Sequence, residues 1–428
     1  MKKVLFITYY WPPAGGPGVQ RIVRFAKYLH QLGWGVTVIT TKDGDYPAID
    51  ESLQNKIPTE IIVIRTRTLE PFKLFKWLSG KKKSENIPTY TLVEKGETAF
   101  VSRIGRFIRA NFFIPDARIG WIPFLKAAAR KEIRENRPNI LLSSSPPHSL
   151  QLAVRRLAQE SKIAWVADFR DPWTEAFWDS GLKRLAIAEQ YHRRLEVETL
   201  RSVSTVTTVS PGLLNRFLSK GAAKAELIYN GYENLPETIF NKCDRFKIYY
   251  FGHLSALQSP KSLADAVNGL DKSVKEKIDL IFVGPVDASH QAIFQTIKDL
   301  SISFLPYQPK EKLLQLAGDA SLFLAIQVET SYTNDIVGTK IYDYLSLEKP
   351  ILVIGGKGGI LDKIMSETSA GELFEKGDLS GIRAYIQKIF LQWELVGSTR
   401  FKSPKNEKYS TMSNVKRLSE LMEALIHG

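Results

Sequence analysis

One cysteine in 428 residues, Cys243, leaves no intrachain disulfide and no thiolate metal cluster. That usage fits a reducing compartment, so the cytoplasm is the expected location. Long apolar runs are also missing: no stretch approaches the ~20 residues of a spanning helix, which limits any membrane contact to a peripheral one. The opening MKKVLFITYYWPP has a basic tip but only about eight apolar residues before Trp11-Pro12-Pro13 and no small-residue cleavage site, so it reads as a buried strand rather than a secretory leader. No repeat of about 20–50 residues is evident. Helix-turn-helix, zinc-finger and RNA-recognition signatures are absent, which argues against nucleic acid as a partner.

What is present is an ordinary globular composition, 44% hydrophobic and 24% charged, in a chain long enough for two domains. Short runs rich in Val, Ile, Leu and Phe alternate with helical patterns, the βα alternation of parallel-sheet domains. VLFITYY, VTVIT, IIVIR, ILLSSS, AWVADF and STVTTVS read as strands of a first domain. KIYYFG, DLIFVG, ISFLP, SLFLAI and PILVIG read as strands of a second. Between them, IYNGYENLPETIFNKCD carries an Asn-Gly turn and a proline without periodicity, placing a linker near 235–244.

The net charge of +14 is uneven: 17 Lys or Arg face 7 Asp or Glu between Arg65 and Arg137, giving that stretch +10. Phe, Trp, Leu and Ile are mixed into it, as in segments that lie on anionic membrane surfaces. The competing reading places Phe107, Phe112, Phe113 and Trp121 in the core of the first domain.

Four segments carry candidate chemistry. After the first strand, Gly15, Gly16 and Gly18 precede an amphipathic helix whose N-terminus offers N–H donors to an anion. The spacing is not the dinucleotide G-x-G-x-x-G, and Lys42 follows the second strand where an acidic ribose ligand belongs, so a dehydrogenase loses ground. AWVADFRDPWTE places Asp168, Arg170, Asp171 and Glu175 at or past a strand's C-terminal end, where open α/β sheets bind ligands. An Asp there can accept a proton or bind sugar hydroxyls, Arg170 can hold a phosphate, and an internal Arg–Asp network is the structural alternative. Trp173 and Trp178 suit a sugar-stacking wall or loop packing, and His148, in SSSPPHS after another strand, is a candidate acceptor contact. In NDIVGTKIYDYL, Asp335 and Asp343 lie eight residues apart around Gly338, Thr339 and Lys340. One acid then sits in a loop and the other on the helix it leads into, with Lys340 and the helix start available to a diphosphate.

The last segment resembles the group 1 (family 4) retaining glycosyltransferases, of the type found in bacterial surface-polysaccharide synthesis. Their hallmark E-x7-E appears here as Asp335-x7-Asp343, followed by Leu347-Glu348-Lys349-Pro350-Ile351. FITYYWPPAGGPGVQR, FIPDARIGWIPF, ADFRDPWTE and IYNGYE extend the resemblance along the chain. It implies the α/β GT-B architecture, two Rossmann-like doubly wound domains facing across a cleft: 1–240 for the acceptor, 241–385 for the nucleotide sugar, and 386–428 as helices returning to the first domain. It implies transfer, without a metal or cofactor, from a UDP- or GDP-linked sugar to a glycan or polyprenyl-diphosphate-linked acceptor, with the 65–137 segment on the inner leaflet. Asp168, Arg170, Asp171 and Asp335 are the catalytic candidates. Gly15, Gly16, Gly252, His253, Lys261, Tyr307, Gly338, Thr339, Lys340 and Asp343 are those for the donor; His148 and Trp173, those for the acceptor. Where the family carries Arg and then Lys after the first strand of the second domain, this chain has His253 and Gln258, which keeps open a catalytically silent binding scaffold. A sugar-nucleotide epimerase of the same architecture is the other alternative. Asp43-Gly44-Asp45 spells a metal-binding D-x-D but falls in a polar loop and reads as a turn.

Overall fold

In the first domain, strand residues alternate between two apolar layers with the period of two that a sheet imposes. Leu5, Ile7, Leu141, Trp165 and Ala167 enter one layer. Val4, Phe6, Ile140, Leu142 and Val166 enter the other. Strands buried on both faces read as continuous hydrophobic runs, and parallel sheets covered by helices are built from them.

The computed structural model describes residues 1–69, 100–176, 182–233, 243–308, 310–330, 332–400 and 404–427. It divides into two units, Met1–Tyr229 with Asn414–Gly428, and Asn230–Ser413. The first holds β1 (Lys3–Thr8), β2 (Gly35–Thr41), β3 (Ile62–Thr66), β4 (Ile140–Ser145), β5 (Trp165–Phe169), β6 (Thr205–Thr208) and β7 (Ala225–Leu227), in the order β3-β2-β1-β4-β5-β6-β7. The second holds β8 (Phe246–Phe251), β9 (Ile278–Val283), β10 (Ser301–Leu305), β11 (Leu322–Ile326), β12 (Ile351–Ile354) and β13 (Gly371–Phe374), ordered β10-β9-β8-β11-β12-β13. Every pairing is parallel. All eleven strands expected from the sequence form; the short β7 and β13 join them.

The division falls at Tyr229/Asn230 rather than at 240, and helix Leu379–Val396 stays with the second unit, where Ile382, Ile386, Ile389 and Phe390 enter its core. Helix Thr411–His427 crosses the domain boundary in sequence. Its Val415, Leu418 and Met422, spaced for one helical face, are fully buried against the first sheet, and Trp34 Nε1 donates to Ser419 Oγ at 2.8 Å. The linker residues 234–242, the basic stretch 70–99 and Trp178 lie outside the described residues.

Strand order reverses between β1 and β4 in one sheet and between β8 and β11 in the other. Ligands of open parallel sheets bind beyond the strand ends at such switch points. The loops that follow those four strands therefore frame the candidate sites.

Candidate functional site

The loop after β1 ends in Gly16 (φ +100°), which begins helix Pro17–Gln31 with no side chain capping it. Proline at the first turn and apolar residues at 19, 22, 23, 25, 26 and 29 form this helix and seat it on the sheet. Gly15 is packed on Asp50, whose Cβ would lie 2.9 Å from any Cβ at that position. Gly18 leaves room for the Arg170 guanidinium, which a side chain there would overlap.

Asp168, at the end of β5, is held on every side. Arg21 Nη2 donates to Oδ1 at 2.8 Å and Nε to Oδ2 at 3.2 Å; Ser144 Oγ donates to Oδ2 at 2.7 Å and Thr207 Oγ1 to Oδ1 at 3.0 Å. With the carboxylate 1% exposed, nothing remains for a substrate to touch. The catalytic expectation for Asp168 is thereby corrected: it is the internal Arg–Asp network. Arg21 Nη2 also donates to Ile228 O at 2.8 Å, tying the first helix to the far side of the sheet.

Arg170 and Asp171 follow. Arg170 donates to Ser145 O at 3.2 Å and Pro146 O at 3.0 Å, so it braces the loop after β4. Burial raises the Asp171 pKa against the pull of Arg170. A carboxyl whose proton affinity is raised, at the carboxyl end of a strand, is chemically suited to accept a proton.

Trp173 and His148 are corrected as well. Trp173 is 1% exposed, stacks on His148 with ring centres 5.1 Å apart and planes 7° apart, and donates Nε1–H to His192 Nε2 at 2.8 Å. Its faces are occupied by protein, not offered to a sugar. His148 is buried beside Phe169 with Nδ1 3.2 Å from Ser145 Oγ, and burial, helped by the nearby His192, lowers its pKa to about 3. Glu175 belongs to an ion-pair cluster with Arg216 and Lys220.

In the second unit, the loop after β8 begins with Gly252 at φ +104°, and Gly284 at φ +125° follows β9. A Cβ on Gly284 would come within 2.8 Å of Gly252 O, so only glycine permits this approach. Lys340, in the first turn of helix Thr339–Ser346, reaches over both neighbours: Nζ lies 3.8 Å from the Tyr250 ring centre and 3.7 Å from where a Gly252 Cβ would stand. Burial lowers its pKa to about 7, and among the described residues no carboxylate opposes that shift. The helix begins at Gly338 with no side-chain cap. An amine short of counter-charge, an uncapped helix start and a glycine turn converge here, each favouring an anion.

Asp335 closes the turn Thr333–Asp335 after β11, and Asp343 lies one to two turns into the helix that follows; both are half-buried. Gln327 fixes this loop, its Nε2 donating to Thr333 O at 2.5 Å and its Oε1 accepting from Gly356 N at 3.1 Å. Gln258 braces the other loop: Nε2 donates to Tyr250 Oη at 3.1 Å and Ile326 O at 2.7 Å, and Oε1 accepts from Ser255 Oγ at 3.2 Å. The residue standing where the family has Lys is therefore a buried strut between β8 and β11. His253 is exposed, Lys261 pairs with Asp265 at 3.1 Å, and Tyr307 is 75% exposed beyond the edge strand β10. Gly15 and Gly16 belong to the first unit, apart in sequence from the other donor candidates.

Sequence reasoning did not single out Arg21, Tyr250, Gln327 or Gly284. Arg21 carried a signal, a charge on the apolar face of its helix. Asp45 of the D-x-D pairs with Arg118 at 3.3 Å, and among the described residues no cluster of three His, Cys, Asp or Glu is arranged to hold a metal.

Residues 88–233 match the Glycosyltransferase Family 4 model. No curated protein matches the sequence. Among solved structures, sucrose-phosphate synthase from Thermosynechococcus elongatus is similar at 14% identity and TM-score 0.61, over 100% of both chains. Anabaena HepE in complex with UDP-glucose is similar at 14% and 0.60, over 99% of this chain and 100% of that one. S. aureus TarM, with fondaparinux, α-GlcNAc-glycerol and UDP, is similar at 13% and 0.58, over 99% and 100%. At these identities the likeness establishes the fold, the GT-B pair of parallel α/β domains.

Proposed function

We propose that this chain, a GT-B protein carrying a family 4 glycosyltransferase region, is a retaining transferase that moves a hexose from a nucleoside-diphosphate sugar, UDP- or GDP-linked, to a glycan or polyprenyl-diphosphate-linked acceptor at the inner face of a membrane, in surface-polysaccharide synthesis. The observation that carries the reading is Lys340, a desolvated amine at an uncapped helix start beside the Gly252 turn, at the switch point of the second sheet.

In this reading Lys340 and the N–H groups of the Gly338–Thr339 helix start hold the diphosphate. Their charge stabilises the β-phosphate as it departs, a larger gain in the transition state than in the ground state. Asp343 binds the donor ribose, and Asp335 binds the sugar. Asp171 and Arg170 serve the acceptor side, Asp171 as proton acceptor or hydroxyl ligand. Charge neutralisation comes from Lys340 rather than from a metal or cofactor, with His253 and Lys261 at the margin of the site and Tyr307 near the base. HepE with UDP-glucose bound and TarM with UDP bound support a nucleotide-sugar donor.

The test is turnover: the purified protein is incubated with a panel of nucleotide sugars and a polyprenyl-diphosphate-sugar extract. Release of nucleoside diphosphate, coupled to a product that keeps the donor's anomeric configuration by proton NMR, is expected without added metal. An inverted product, or release that needs a divalent cation, would overturn the corresponding part.

A further inference from the structure

Six large apolar side chains stand exposed around one junction of the first unit. Helix Phe100–Phe112 presents Phe107, Ile108 and Phe112, the last 72% exposed; the start of helix Ala186–Ser202 presents Leu185, Ile187 and Tyr191, with Ile187 at 76%. Asn111 joins the two. It lies one turn after Phe107 and immediately before Phe112, accepts from Leu185 N at 2.7 Å and donates to Lys183 O at 3.3 Å. The six therefore form a neighbourhood rather than scattered surface residues, and patches of this kind mark interaction sites.

The charge around them is mostly positive. Helix Phe100–Phe112 carries three arginines and no acid. Residues 182–194 carry Lys183, Arg184, Arg193 and Arg194 against Glu189; Arg193 pairs with Glu189 at 2.8 Å and Arg194 with Glu198 at 2.6 Å. Arg106, Lys183, Arg193 and Arg194 are exposed. On the second helix Ile187, Tyr191 and Arg194 share a face, apolar groups beside a cation. A second copy of the chain would bring like charges together across this face. An anionic partner with an apolar interior meets both features at once, and no helix among the described residues is long and apolar enough to cross a bilayer.

We infer that this composite face is a docking surface for an anionic phospholipid bilayer, with Phe112, Ile187 and their neighbours in the acyl–headgroup boundary and Arg106 and Lys183 against the headgroups. It deepens the membrane side of the proposed function, and it adds residues 182–194, which the basic segment 65–137 does not contain. It is independent of which sugar is transferred.

The full chain is sedimented with phosphatidylethanolamine–phosphatidylglycerol vesicles and with phosphatidylcholine vesicles. Wild type is expected to bind the anionic vesicles, with affinity falling as salt rises, and to stay in the supernatant when phosphatidylcholine vesicles are pelleted. The pairs Phe112→Ser with Ile187→Ser, and Arg106→Ala with Lys183→Ala, are each expected to weaken binding about tenfold or more, while circular dichroism, melting temperature and nucleotide affinity stay at wild-type values. Unchanged vesicle binding in both pairs overturns the assignment, as does equal binding to neutral vesicles. A dimer in sedimentation that either pair dissolves also overturns it, naming a second copy as the occupant. Loss of nucleotide binding in wild type would strike the proposed reaction and leave this surface standing.

Discussion

Arg21 and Asp168 stand 147 residues apart in sequence and meet in a buried two-point ion pair, Nη2 to Oδ1 at 2.8 Å and Nε to Oδ2 at 3.2 Å. The pair locks the first helix of the N-terminal domain onto β5. It also fixes the strand end from which Arg170 and Asp171 project. Removing one partner of such a pair strands the other charge in the interior.

Asp168→Ala is therefore expected to destabilise the first domain by about 3–5 kcal/mol, read as a fall in its melting temperature. Burial works to raise the Asp168 pKa, but Arg21, Ser144 and Arg170 outweigh it and hold it below its ordinary 3.8. A depressed folded-state value contributes stability that is complete above pH ~4 and is lost as pH falls through the folded value. Acid denaturation scans should show a shallower decline below that pH in Asp168→Asn than in wild type.

Lys340 has the opposite sign. Its pKa of about 7 in the free protein rises when a diphosphate sits beside it, so nucleotide-sugar binding takes up a proton above neutrality. Affinity should fall as pH climbs from 7 to 9, by up to about tenfold per unit. Lys340→Met should bind about tenfold or more weakly at pH 7 and lose that dependence. Calorimetry in buffers of different ionisation enthalpy counts the proton directly; a flat wild-type profile would contradict the assignment.

Asp343 and Asp335 should separate in their effects. Asp343→Ala is expected to weaken nucleotide binding by about 1.5–3 kcal/mol, the scale of a hydrogen bond to a charged group. Asp335→Ala should lower kcat more than nucleotide affinity. Steady-state kinetics together with a binding isotherm distinguish them, and equal, negligible effects would refute both placements.

Trp173 tests packing against recognition. Trp173→Ala should cost about 3–5 kcal/mol of stability by opening a cavity beside His148, Phe169 and His192. A residue that stacked on an acceptor sugar would raise the acceptor KM and leave the melting temperature alone. The neighbouring His148, at a pKa of about 3, should show no NMR titration between pH 5 and 8.

The two sheets were legible because strands buried on both faces announce themselves as apolar runs, and because Asn-Gly and Pro-rich loops separate them. β7 and β13 carry no such run: each contains a glutamate, and neither is buried throughout. The return of helix Thr411–His427 to the first sheet was an expectation from the family resemblance alone, because side-chain packing leaves no local mark in sequence. Strand-end positions of Asp168, Arg170 and Asp171 were readable, but burial was not: the same Asp-Phe-Arg-Asp-Pro-Trp can be a site or a brace, and only the three-dimensional approach of Arg21 to Asp168 decides between them. Gln258 shows the converse, a departure from the family pattern whose meaning lay in the hydrogen bonds it makes between β8 and β11.

The proposed reaction requires the second domain to bind a nucleoside diphosphate around Lys340 and Asp343. Isothermal calorimetry of the full chain against UDP, GDP, ADP, CMP and dTDP, without metal and then with magnesium, tests it most directly. Metal-independent binding of one nucleoside diphosphate at about micromolar Kd, abolished by Asp343→Ala and weakened by Lys340→Met, is the expected result. Absence of binding to all five, or binding that both variants leave intact, would contradict it.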